Sequence, residues 1–118
     1  MVKRYTRMPV GAHYGVGDWL MQRLTAVVMA AYTIFLVLAL VVHRPRNYPA
    51  WRETFSETWF QVATMLFVAA LVYHAWVGMR DILMDYLRST SLRLAAQFAV
   101  GLALAFYLVW TAAILWGR

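Results

Sequence analysis

Three uninterrupted apolar runs limit what this chain can fold into. The first, Leu24–Val42, holds 19 residues without a charge, or about 28 Å of helix at about 1.5 Å per residue. That is close to the hydrocarbon thickness of a bilayer. The second run extends from Trp59 to Met79 with His74 inside it, and the third from Leu94 to Trp116 with Gln97 as its one strongly polar member. In lipid, a single segment must satisfy its own backbone polar groups, so runs of this length read as helices. The expectation is an all-α integral membrane protein with three transmembrane helices in one membrane-anchor domain, 1–118. It divides into a tail (1–19), a first span (20–42), a loop (43–58), a second span (59–79) with a helical extension to about 88, and a third span (94–116).

Composition agrees. The chain is 64% hydrophobic and 14% charged, whereas soluble domains hold about 45–50% apolar and about 25% charged residues. Its net charge of +6 comes from basic residues that flank the apolar runs. That placement reads as membrane topology and not as a nucleic-acid face. Cysteine is absent, which excludes disulfides, zinc–thiolate sites, thiolate-held iron–sulfur clusters and c-type haem attachment within this chain. Met1–Arg7 is basic, but the following apolar run is longer than the roughly 7–15 residues of a signal-peptide core, so the first span is expected to be retained.

The flanks carry their own signals. Asp18 is expected to cap the first span. Pro45 and Pro49 end it, and the short amphipathic stretch Trp51–Thr58 suits the interface, with Tyr48, Trp51 and Trp59 at headgroup level. Ser89-Thr90-Ser91 marks a turn before the third span, where Ala95, Ala99, Gly101, Ala103 and Ala105 offer small faces for helix packing. With three spans, Lys3, Arg4, Arg7, Arg23, Arg80, Arg88 and Arg93 share one side of the membrane. Arg44, Arg46, Arg52 and Arg118 share the other. The excess places the N-terminus in the cytoplasm and the C-terminus outside.

His74 is the sharpest chemical feature. It lies six residues before Arg80, so roughly 9 Å inside the end of its span, where ionisable side chains are costly and mark function. An imidazole there can be an axial haem ligand or a hydrogen-bond partner for a neighbouring helix. Gly78, Asp81 and Asp85 follow on the same helical face. Gly78 leaves room for a flat porphyrin or for close helix packing, while Asp81 and Asp85 are open to solvation or to pairing with Arg80 and Arg88. A haem bridged within this chain would need His74 and Met29, the one further ligand at similar depth; the second ligand is expected instead from another subunit. Tyr86 suits a hydrogen bond to a quinone carbonyl or an interfacial anchor, and Arg23 a cofactor charge or the headgroups. No hydrolase or transferase arrangement, phosphate loop or transporter-like inverted repeat is present.

The stretch His74-Ala-Trp-Val-Gly-Met-Arg-Asp-Ile-Leu-Met-Asp-Tyr-Leu-Arg resembles the signature of the succinate dehydrogenase hydrophobic membrane anchor family, with Asp85-Tyr86 as its Asp-Tyr pair. Gly15-Val-Gly-Asp-Trp-Leu-Met-Gln-Arg-Leu-Thr-Ala resembles the family's opening, where Arg23, Thr25 and Ala26 start the first span. The resemblance implies a subunit of succinate:quinone oxidoreductase that oxidises no succinate itself. It implies His74 as an axial ligand of haem b opposite a histidine of the cytochrome b556 subunit. It also implies Tyr86 and Asp85 at the ubiquinone site, Arg23 near the haem propionates and the quinone, and docking of the iron–sulfur and flavoprotein subunits. A multi-pass protein of a bacterial inner membrane is expected. Two alternatives stay open: a haem-free anchor of a fumarate reductase or other respiratory complex, and a non-redox helical scaffold.

Overall fold

The computed structural model describes residues 12–117. It is helical, with no strand among the described residues: α1 (Ala12–His43), α2 (Tyr48–Thr54), α3 (Thr58–Tyr86) and α4 (Thr90–Trp116). The helices α1, α3 and α4 are each long and apolar enough to cross a membrane, which bears out the all-α, three-span expectation.

The boundaries follow local chemistry. Arg44 closes α1 in the left-handed region at φ 44°, its N–H donating to the Leu40 carbonyl at 2.9 Å, and Pro45 follows the cap. Asn47 caps α2 by accepting the Ala50 N–H at 3.0 Å, with Pro49 in the first turn. The helix α3 ends at Tyr86, and Ser89 opens α4 by accepting the Leu92 N–H at 3.5 Å.

The helices begin earlier than the apolar runs, α1 at Ala12 and α4 at Thr90, and the short helix covers Tyr48–Thr54. Asp18 lies inside α1, which already runs from Ala12, and so caps nothing. Its carboxylate bonds across to Arg80 instead. Gly15 and Gly17 are accommodated within the helix, although each costs about 1 kcal/mol relative to alanine. The remainder of the expected tail, residues 1–11, lies outside the described residues, as does Arg118.

The helix α3 is the centre of the fold. It packs against α1 on one side and α4 on the other, while α1 and α4 barely meet. The α1–α3 pairs are Asp18 with Arg80, Thr25 with His74 and Tyr32 with Thr64, a register that only antiparallel helices give. The return of α4 along α3 is also antiparallel. Trp76 lies against Gly101, and the Gln61 amide donates to the Leu115 carbonyl at 2.7 Å, satisfying one of the carbonyls that a helix end leaves open.

Little is buried: Thr25, Tyr32, Phe60 and Val77. Large apolar side chains such as Val27, Leu38, Phe98 and Trp110 face outward, as they do where lipid is the solvent. Of the small residues of α4, Gly101 is taken up by α3, while Ala95, Ala99, Ala103 and Ala105 stay exposed.

Candidate functional site

Asp18, Gln22 and Thr25 recur at i, i+4 and i+7 on α1, so they share one face. That face meets His74, Val77 and Arg80 of α3. Nearest the start of α1, the Arg80 guanidinium donates to Asp18 at 2.7 Å and to Asp81 at 3.2 Å. Deeper along the seam, the Thr25 hydroxyl donates to the Met21 carbonyl at 2.7 Å, with the Gln22 carbonyl at 3.1 Å. Its oxygen lies 3.1 Å from His74 Nδ1. Thr25 is the one buried polar residue named among the described side chains, at 7% exposure. Between these layers, Gln22 Oε1 is buried with no hydrogen-bond partner among the described residues. An acceptor left in that condition costs about 1–3 kcal/mol.

Asp18, Gln22, His74, Val77, Arg80 and Asp81 line a cleft of about 540 Å³ between α1 and α3, walled also by Gly15, Trp19, Arg23 and Ala26. The Arg23 guanidinium sits 5.4 Å above the Trp19 ring, an arrangement that favours a cation. Beside His74 on α3, a Cβ added at half-buried Gly78 would meet nothing within 4 Å, so there is room next to the helix backbone there. The chemistry available is one imidazole with a second nitrogen, Nε2, that has no partner among the described residues. A fixed cation, an unmet acceptor and an open helical face surround it.

The structure therefore brings together two of the residues singled out from sequence, His74 and Arg23, on one cleft. Asp85 and Tyr86 do not join it. Both are exposed at the end of α3, Tyr86 to 80%, and Tyr86 lies about 18 Å along the helix from His74. Gly78 is left free of helix packing, and Asp81 is held by Arg80. Met29 is not among the residues lining the cleft.

Sequence reasoning missed Asp18, Gln22 and Thr25 as a unit. Their i, i+4, i+7 spacing was visible, but it says nothing of which helix they face. Gln61 was missed likewise, since a lone amide near a helix start does not reveal that it reaches a carbonyl on α4.

Comparison with known proteins accounts for the chain nearly end to end. Residues 4–113 match the model of the succinate dehydrogenase/fumarate reductase transmembrane subunit family. The succinate dehydrogenase hydrophobic membrane anchor subunit of Coxiella burnetii (strain RSA 493 / Nine Mile phase I) is 37% identical over 102 residues, covering 86% of this chain and 89% of that protein. Subunits of the same description from Rickettsia felis and Rickettsia prowazekii are 29% and 26% identical over 83 residues. That alignment covers 70% of this chain and 66% and 63% of theirs.

Proposed function

This chain belongs to the succinate dehydrogenase/fumarate reductase transmembrane subunit family, and from that premise we propose that it anchors a succinate:quinone oxidoreductase while supplying one side of a haem b site and part of a quinone site. The observation that carries this reading is the state of His74. One ring nitrogen is tied to Thr25 and the other is uncommitted, on a cleft that also carries Arg23.

The residues fit a haem b on its near side. Nε2 of His74 is a free donor of the right type, the open face at Gly78 admits a flat ring, and Arg23 offers positive charge to propionates. The cleft lining includes no second histidine or methionine; by the family resemblance, a histidine of a companion cytochrome b556 subunit would complete the site. When bound, the haem would supply a one-electron centre. His74 would hold the iron, Arg23 would balance carboxylate charge, and Thr25 would keep the imidazole in place. At the end of α3, the Tyr86 phenol would donate to a ubiquinone carbonyl and Asp85 would order its surroundings. The exposure of both residues suits contact with something outside this chain. The iron–sulfur and flavoprotein subunits would dock on this same basic side, the cytoplasmic side by the excess of positive charge, and the membrane would be a bacterial inner membrane.

A second reading is favoured by the same bond. A histidine tied to a threonine on the next helix is what a non-redox scaffold would also contain. Purifying the complex through this chain in mild detergent, and recording reduced-minus-oxidised visible spectra for wild type and His74→Ala, separates the two. Loss of a b-type signal from an otherwise complete His74→Ala complex is expected. A b-type signal that persists unchanged removes His74 from the haem. An intact wild-type complex without any b-type signal leaves the quinone site as the functional claim.

A further inference from the structure

The seam contains the same three-group arrangement twice. At one point Thr64 of α3 donates its hydroxyl proton to the Phe60 carbonyl of its own helix at 2.8 Å, while its oxygen lies 2.5 Å from the Tyr32 hydroxyl of α1. A threonine hydroxyl has one proton and two acceptor sites. With that proton given to Phe60, Tyr32 must be the donor to Thr64. At the other point the roles of the helices are exchanged. Thr25 of α1 gives its proton within its own helix, at 2.7 Å to Met21 and with Gln22 at 3.1 Å. Its oxygen can then only accept from across the seam, and the group 3.1 Å away is His74 Nδ1. The proton of that bond therefore belongs to the histidine. A neutral imidazole carries one N–H, so with Nδ1 protonated, Nε2 is the unprotonated nitrogen and keeps its lone pair.

We propose that Thr25 is a positioning residue that selects the Nδ1–H tautomer of His74, holds its ring angle and presents the Nε2 lone pair as the ligating atom. This rests on the reading of His74 as a haem ligand and deepens it. A partner that accepts the remote N–H of a ligating imidazole raises its basicity and fixes its orientation. Here the acceptor is a buried neutral hydroxyl whose own proton is already committed. It cannot turn round to become a donor without giving up a bond to its own helix. Binding of the iron then requires no change of tautomer.

The test uses the complete complex with Thr25→Val, which keeps the shape and removes the acceptor, and Thr25→Ser, which restores the hydroxyl. Thr25→Ala, with less bulk, takes the place of valine if valine hinders assembly. Two quantities are read: the midpoint potential of the haem b, and the haem retained per complex on dilution in detergent. With the hydroxyl gone, the imidazole donates less charge to the ferric state, so the potential is expected to rise and apparent haem affinity to fall by about 10-fold. Thr25→Ser is expected to return both toward wild type. If Thr25→Val keeps the wild-type potential and haem content while His74→Ala loses the haem, Thr25 has no hold on the ring and this proposal falls, with His74 still the ligand. If His74→Ala leaves the b-type signal intact, both readings fall together.

Discussion

Toward His43, α1 meets α3 through rings; toward Gly15, it meets α3 through polar groups. In the first region the Tyr32 ring stacks on Phe67 at 4.7 Å, Phe55 packs edge-on against Phe60 at 4.7 Å, and Phe35 and Trp59 join at 5.5 Å. The one polar bond there, Tyr32 to Thr64, is complete within the chain. In the second region Arg80, Asp18, Gln22, Thr25 and His74 leave a cleft, one unmet acceptor and one uncommitted ring nitrogen. The aromatic region satisfies itself, because large flat side chains interdigitate without needing a donor or acceptor from elsewhere. The polar region does not, and a polar group at membrane depth without a partner is costly.

Four substitutions sharpen that contrast. The largest effect is expected at Phe60, the most deeply buried ring at 2% exposure. Phe60→Ala should lower helix-packing stability in detergent unfolding by about 2 kcal/mol. That is less than the roughly 3–5 kcal/mol found in water-soluble cores, because lipid takes up part of the lost transfer term and leaves chiefly the cavity. Next comes Arg80→Gln, which leaves Asp18 without its cation. The side chains are 29% and 39% exposed, so solvent screening limits the loss to about 0.5–1 kcal/mol. Repeating the unfolding at high salt should shrink the difference between variant and wild type. Tyr32→Phe keeps the rings and removes only the bond to Thr64, for an expected loss of about 0.6 kcal/mol. A loss as large as that of Phe60→Ala would mean that polar bonding, not ring packing, holds this half together. Gly78→Leu is the smallest and the most selective. With nothing within 4 Å of a Cβ placed there, and with a better helix former than glycine, the chain itself should lose no stability. The assembled complex should retain less haem. A chain destabilised by Gly78→Leu with unchanged haem content would show that the open face beside His74 plays no part in the site.

The spans were legible because the membrane imposes a single-residue criterion: an uncharged run of the right length has almost no other way to satisfy its backbone. The turn at Ser89 and the stop at Arg44-Pro45 were legible for a similar reason, since both rest on chemistry within a few residues. His74 and Gly78 stood out on the same local grounds, as an ionisable group at depth and a missing side chain one turn away. Asp18 marks the limit. A helix cap was the reasonable local role for an aspartate before an apolar run, but the helix continues toward the N-terminus and the carboxylate finds a guanidinium 62 residues further along the chain.

What the sequence determined by itself was therefore one-dimensional: three apolar helices, their lengths, and the depth of one histidine. Only the tertiary structure decided that α3 lies between α1 and α4, that Thr25 and not another residue faces His74, and that Gln22 is left without a donor. The physical reason is that helix–helix contact in lipid is set by close packing and a few interhelical hydrogen bonds. The outer faces of all three spans look alike in composition, so hydrophobic pattern cannot say which face meets which.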